Sequence, residues 1–529
     1  MEPSGRLELT WANKHLRLIS DPEGGYEWVD PADPRVSEVR LLHHVDAVGD
    51  DSADGNLLIE GDALHALTAL NRIPELAKRY AGQVRLVYID PPFNTGQAFA
   101  HYYDNLEHSV WLSMLRDRLV QLKPLLAPNG SIWVHLDDAE VHRCRCVMDE
   151  VLGAGNFVAQ VTWRSSDNSN NDARTFSNDT NTLLVYSRTP GWISEREPAS
   201  ADRLPHYKNP DNDPRGPYFD GNPLNSPNPR ENLMYDLEAP DGSVIPHPPN
   251  GWRWERSTLE RRMASGEIRW RPGYTGIFRR TYLADHSGLP ASNLWADLDQ
   301  TGHNRQAKYE LKNLFPGLPT AQLFKTPKPE RLMRRILAVA TDPGDLVLDC
   351  FAGSGTTAAV GQKMGRRWVA IERAADTVDR FTRPRLELVV KGEDPGGITQ
   401  AVEWKGGGGF RHLRVGPSMF DLDAETGDVF LAEWATNGAF SEAVAAQLGF
   451  ARADEPPFCG RKGRTRLAVL DGVVGEAEVE YLVAALDERE RVVVVGQAFT
   501  EEAEPTLRRL SPGSKVRHAP HDLLRGGRR

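Results

Sequence analysis

The chain has 529 residues, 40% hydrophobic and 26% charged, with a formal net charge of -11. That length suggests about three or four domains, and no apolar run approaches the roughly 20 residues of a membrane span. The acidic total argues against whole-surface attraction to nucleic acid but leaves room for a local basic patch, and four cysteines, Cys144, Cys146, Cys350 and Cys459, are too few for a disulfide framework and wrongly spaced for zinc.

From the N-terminus, "MEPSGRLELTWANKHL" has no apolar signal core, so a cytoplasmic location is expected. "NLLIEGDALHALTAL" (56–70) reads as a strand, a turn at Gly61-Asp62 and a helix; "VRLVYID" (84–90) is a second strand. A helix follows with Trp111, Leu115, Leu119 and Leu122 on one face, closed by a Pro/Asn/Gly turn. "SIWVHLDD" is a third strand, residues 139–156 a third helix, and "FVAQVTW" and "TNTLLVYSR" two more strands. Strands alternating with helices imply βαβ units and a mainly parallel sheet. From about 190 to 321 the alternation gives way to a Pro-, Asn-, Asp-, Gly-, Trp- and Arg-rich insertion, then resumes through "DLVLDCF", "AGSG", "TTAAVGQKMG" and "RWVAIE". After "KGGGGF" (405–410), residues 491–524 again read as strand, helix, strand.

Two stretches carry chemistry. In "LDCFAGSGTTAAV", small residues sit where a strand meets a helix, so backbone can approach a ligand and helix N–H groups can face it. Gly353, Gly355 and Ala358 fit G-x-G-x-x-G/A, and Glu372 closes the next strand where an acid can bind ribose hydroxyls, which points to an adenosine-containing cofactor. A plain tight turn and a dinucleotide site are the rival readings. The second stretch, "DPPF", has no place in a dehydrogenase. An exocyclic amine on a base is a poor nucleophile because its lone pair is delocalised into the ring. Asp90 and the Pro91 carbonyl, on a loop stiffened by Pro91 and Pro92, provide two acceptors for its N–H bonds, and Phe93 offers a stacking face.

"DPPF" followed by "FAGSG" resembles the amino-group DNA methyltransferases that use S-adenosyl-L-methionine, in the motif order of their β class. "GDALHAL", "NDPRGP", "GWRW" and "LFKTPKPERL" extend the resemblance to the modification (Mod) subunits of type III restriction systems over roughly residues 56–415. The resemblance implies an α/β Rossmann-like sheet, mostly parallel with one antiparallel strand at "TNTLLVYSR", circularly permuted, with an inserted target-recognition domain and a C-terminal α/β region. The expected division is an N-terminal extension (1–55), a catalytic half (56–189), the target-recognition insertion (190–321), a cofactor half (322–394) and a C-terminal region (395–529). It further implies Asp62 at the cofactor adenine, Lys325, Thr326 and Pro327 at its methionine end, and Asp349, Phe351, Ser354, Thr356 and Thr357 beside the two glycines.

The resemblance makes double-stranded DNA the substrate and raises a restriction (Res) subunit and a second copy of the chain as partners. Asp before the prolines favours adenine N6 over cytosine N4, where the family mostly carries Ser; cytosine N4, RNA, a protein glutamine and a cofactor-free DNA scaffold stay open. Between residues 250 and 335, 16 basic residues face 8 acidic ones, with Trp252, Trp254, Trp270 and Tyr274 interleaved. Arg253, Arg256, Arg269, Arg271, Arg279 and Arg280 are therefore the expected DNA contacts. His65, His135 and His142 are expected to pack or to face solvent. No H-x-E or paired C-x-x-C argues for a metal.

Overall fold

The computed structural model describes residues 8–20, 25–50, 55–94, 106–197, 205–221, 224–285, 288–423, 425–426, 428–435 and 439–524. The chain divides into two compact units, Ser194–Ala291 and the remainder. Among the described residues no helix is long and apolar enough to cross a membrane.

The larger unit is organised by one ten-stranded sheet. Its strands along the chain are β1 (Leu42–Gly49), β2 (Asn56–Glu60), β3 (Val84–Ile89), β4 (Leu126–Leu136), β5 (Phe157–Arg164), β6 (Thr180–Ser187), β7 (Leu294–Trp295), β8 (Leu346–Asp349), β9 (Arg367–Glu372) and β10 (Gly409–Val415). In space they run β7-β5-β6-β4-β3-β8-β9-β2-β10-β1. The central strands are continuous apolar runs because helices cover both faces. Leu57 and Ile59 of β2 and Val369 and Ile371 of β9 enter one core cluster, while Leu58, Trp368 and Ala370 between them enter another.

β6 runs antiparallel to both β4 and β5, as expected for "TNTLLVYSR". A second antiparallel strand, β1, pairs with β10 at the far edge. Both come from stretches assigned on sequence grounds to the N-terminal extension and the C-terminal region. The Pro/Asn/Gly turn expected before the third strand is a bulge: Val84 faces Leu126, Leu86 faces Ser131, and residues 127–130 are passed over. Residues 292–321, grouped with the insertion on sequence grounds, fold with the larger unit.

The topology creates the site. From β3 the sheet continues outward to β4 on one side. From its other neighbour, β8, it continues through β9 to β2. The β3/β8 junction is thus a topological switch point, where loops after parallel strands diverge and leave a crevice. Further along the chain, a separate five-stranded sheet is built from Ala451–Glu455, Phe458–Lys462, Thr465–Val474, Arg491–Phe499 and Lys515–His518.

Candidate active site

β3 and β8 are parallel neighbours with Val87 opposite Leu348, so Asp90 and the turn after Asp349 leave the same end of the sheet side by side. The loop after β3 is held from below: the Pro92 carbonyl accepts the Trp111 indole N–H at 2.7 Å. Asn94, at φ +61°, donates to Glu140 at 2.7 Å and accepts from the Leu106 amide at 2.8 Å. Glu140 is buried and also meets His108. Residues 95–105, which follow this loop, lie outside the described residues.

Asp90 is paired with a residue that sequence reasoning counted only as part of a basic patch. Lys328 Nζ lies 2.6 Å from Asp90 Oδ2, and Lys328 is 9% exposed. The same ammonium sits 4.8 Å from the centre of the Phe93 ring. Asp90 Oδ1 is buried and meets no hydrogen-bond donor among the described residues. Burial raises the Asp90 carboxyl above its usual range against the opposing pull of Lys328. Behind Phe93, at a ring distance of 5.7 Å, is His135, fully buried and 2.9 Å from the Tyr88 hydroxyl through Nδ1. Burial and Lys328 push that imidazole well below its usual range, so it is a neutral packing group. His65 is likewise buried and lowered to about 4, mainly by burial, whereas His142 is exposed.

The turn after β8 has the geometry its glycines suggested. Gly353 has φ +50°, and a Cβ there would lie 3.0 Å from the Phe324 ring; Gly355 has φ +78° and faces Thr382. Asp349 accepts the Phe351 amide at 2.9 Å and the Thr357 hydroxyl at 2.6 Å, which staples the strand end to the helix Thr356–Lys363. Burial raises the Asp349 carboxyl to about 7, with the nearby Asp90 and Glu372 pushing the same way. Glu372 accepts the Gly353 amide at 2.8 Å and the Ala374 amide at 2.9 Å, so it braces the turn from the next strand. Ser354, Thr356 and Thr357 are buried, and Arg385 donates to the Thr356 hydroxyl at 2.8 Å. Arg385 belongs to a buried ionic cluster in which Glu330 accepts from both Arg385 (2.8 Å) and Lys363 (2.7 Å), and Lys363 also reaches Asp394 (2.7 Å).

The remaining expected cofactor residues are placed differently. Asp62 caps the helix Ala63–Arg72 through the Leu64 amide and is gripped by Arg118, whose Nη2 lies 2.9 Å from each carboxylate oxygen. Although burial pushes its carboxyl up, Arg118 and His65 hold it well below the usual range. In "KTPKP", Lys325 and Thr326 are exposed, while Pro327, Lys328 and Pro329 are buried. Lys328 is the lysine that reaches the site; its position between two prolines, just before the buried start of the helix Glu330–Ala340, was the available signal.

The unit Ser194–Ala291 corrects the charge argument. It carries 13 Lys and Arg against 14 Asp and Glu, a net of -1. Half of the basic excess between 250 and 335 lies past residue 291; the other half, 8 basic against 4 acidic residues in 250–291, is offset within the unit by 5 basic against 10 acidic residues in 194–249. Nor are all the expected DNA contacts available. Arg280 is 6% exposed, lies 3.3 Å from the Tyr218 ring centre and pairs with Asp211, Asp213 and Asp220. Arg269 pairs with Asp213 at 3.4 Å and Arg279 with Glu267 at 2.7 Å. Arg253, Arg256 and Arg271 are exposed, as is Arg261. Of the interleaved aromatics, Trp252, Trp254 and Trp270 serve a small core with Leu237, Leu259, Ile268 and Ile277.

The chain is 28% identical over 427 residues to the type III restriction-modification enzyme StyLTI Mod subunit of Salmonella typhimurium, covering 70% of this chain and 61% of that protein. It is 29% identical over 335 residues to the type II methyltransferase M.EcaI of Enterobacter cloacae, covering 60% of this chain and 68% of that protein. To the EcoP15I Mod subunit of Escherichia coli it is 26% identical over 372 residues, 57% of this chain and 55% of that protein. The chain therefore spans little more than half the length of the Mod subunits it matches. The family model described as DNA methylase matches residues 84–383, more than half of the chain and the whole stretch from β3 through β9. With both motif loops at one switch point and that span matched, the chain belongs to the DNA methylase family.

Proposed function

We propose that the chain is a site-specific DNA methyltransferase that moves a methyl group from S-adenosyl-L-methionine to the N6 amine of an adenine turned out of the duplex. It would serve as the modification component of a restriction-modification or phage-defence system in the cytoplasm. The observation that carries the reading is the parallel β3/β8 pairing, which sets the Asp90 loop beside the Gly353 turn. The turn suits an adenosine cofactor: two positive-φ glycines, a helix N-terminus and the acids Asp349 and Glu372 converge there. When bound, the cofactor supplies an electrophilic methyl group on a cationic sulfur.

The chain's own residues prepare the acceptor. Extruding a base costs a few kcal/mol, which stacking on Phe93 and hydrogen bonds to Asp90 and the Pro91 carbonyl offset. Those two acceptors fix the amine plane and direct the nitrogen lone pair out of the ring, so that positioning supplies most of the rate. The amine held by Asp90 and the Pro91 carbonyl would take the methyl group that the bound cofactor supplies and release one proton to water. Asp before the two prolines supports adenine over cytosine. The relatives named as Mod subunits support a restriction (Res) subunit as partner, and a second copy of the chain is the other partner proposed. Incubation with methyl-labelled cofactor and duplex DNA, followed by nucleoside mass spectrometry, is expected to yield N6-methyladenine. N4-methylcytosine would overturn the base assignment, and label in RNA or protein with none in DNA would overturn the substrate.

A further inference from the structure

Lys328 contacts two of the groups that the proposed mechanism reserves for the target base, the Asp90 carboxylate and the Phe93 face. Its ammonium donates to Asp90 Oδ2 at 2.6 Å and lies 4.8 Å from the Phe93 ring centre, within the range of a cation–π contact. Both groups are shielded: Lys328 is 9% exposed and the Asp90 side chain 19%. A carboxylate beside an aromatic face is a seat for a cationic nitrogen. The reaction makes one, because the amine gains positive charge as it takes the methyl group. A lysine ammonium left on the same carboxylate would repel that charge at close range.

We infer that Lys328 is an internal stand-in for the methylated amine, seated on Asp90 and Phe93 until an extruded base displaces it. The inference rests on the methyltransferase reading and adds a step to it: base entry and lysine exit are one exchange. Lys328 compensates the Asp90 charge before the base enters, and the amine does so as it takes the methyl group. Among the described residues, the titratable or charged groups around this carboxyl are Lys328, Asp349, Tyr88 and His135. Asp349 opposes ionisation of Asp90, and His135 is neutral, which leaves Lys328 as the group that holds the carboxylate charged.

Lys328→Met keeps an unbranched side chain one atom shorter and removes its charge. In a duplex carrying 2-aminopurine at the target position, located by sequencing modified bases, the variant is expected to increase the extruded-base fluorescence several-fold. Its kcat/KM, which reports the free enzyme, should lose activity at higher pH than the wild type, because Asp90 then retains its proton. Its kcat, which reports the base-bound enzyme, should keep the wild-type pH profile. Weaker or unchanged extrusion, or a kcat profile that shifts together with kcat/KM, would overturn the inference, since the lysine would then stay with Asp90 through the reaction. Calorimetry of cofactor binding checks that the variant is folded, and Lys328→Arg, which keeps the charge, should restore the wild-type kcat/KM profile. A wild-type protein that neither extrudes the base nor methylates DNA would instead fail the underlying reading.

Discussion

The two regions that sequence reasoning linked to DNA differ in how their charges are arranged. Around the ends of β3 and β8, charged groups are few and shielded, and several are paired: Asp90 with Lys328, Asp62 with Arg118, and Glu330 with both Lys363 and Arg385. In Ser194–Ala291 they are numerous and nearly balanced, and the most buried arginine, Arg280, is held by three aspartates. A buried charge that lacks a partner is costly, so the pairs at the sheet edge are built around whatever the site must hold. A surface arginine meets no such demand. Its neighbours in sequence do not reveal whether it braces its own unit or meets a phosphate.

The comparison breaks most sharply at Asp90. Asp90→Ala is expected to reduce methyl transfer by about 10²–10³-fold, the scale of losing a preorganised transition-state contact, while cofactor affinity measured by calorimetry stays within about twofold. Turnover near the wild-type rate would remove the amine-holding role. In the smaller unit, Arg280→Ala should act on stability instead. Losing the stack on Tyr218 and the charge-assisted bonds to Asp211, Asp213 and Asp220 should cost about 1–2 kcal/mol, or roughly 5–10 °C in the melting of a unit this size. Arg271→Ala, at an exposed position, should leave melting unchanged, and equal losses in the two variants would erase the distinction drawn between them.

Asp349 yields a graded effect. Its carboxyl is raised to about 7 by burial, so it gains its charge as the pH rises through neutrality. A cationic cofactor binds the ionised form better. Affinity for S-adenosyl-L-methionine should therefore increase about tenfold from pH 6 to pH 8, the ratio set by a single group with that midpoint. Asp349→Asn should flatten the dependence, and a dependence that survives the substitution would assign the titration to another group.

What was legible in the sequence was local. An apolar run stopped by "DPP" and a strand running into "AGSG" state their backbone geometry directly, because proline removes a donor and glycine alone tolerates φ +50° beside the Phe324 ring. The antiparallel β6 was legible as one more apolar strand. What escaped was long-range. β1, "LHHVDAVG", alternates polar residues and looked like part of an extension, yet it pairs with β10 from the other end of the chain. Lys328 looked like one positive charge among sixteen until the fold brought it to Asp90. The basic patch failed for the same reason: a charge count over a sequence window takes no account of unit boundaries, since residues 292–335 belong to another body and the acidic residues 194–249 belong to the same unit as 250–291.

The smallest expected effect tests whether any basic footprint remains on Ser194–Ala291. Once Arg269, Arg279 and Arg280 are assigned to internal pairs, Arg253, Arg256, Arg261 and Arg271 are left exposed. Each phosphate contact contributes about 0.9 to the slope of log affinity against log salt. Replacing Arg253 and Arg271 by Ala should weaken duplex binding several-fold at moderate salt and lower that slope by about one to two. Replacing Arg269 and Arg279 should lower it by less, because their charges are already neutralised by Asp213 and Glu267. Equal slopes for the two double variants would mean that the internal pairs open on DNA. No change in either would move the phosphate contacts off this unit, and the eight Lys and Arg of residues 292–335, against four acids, would become the next segment to test.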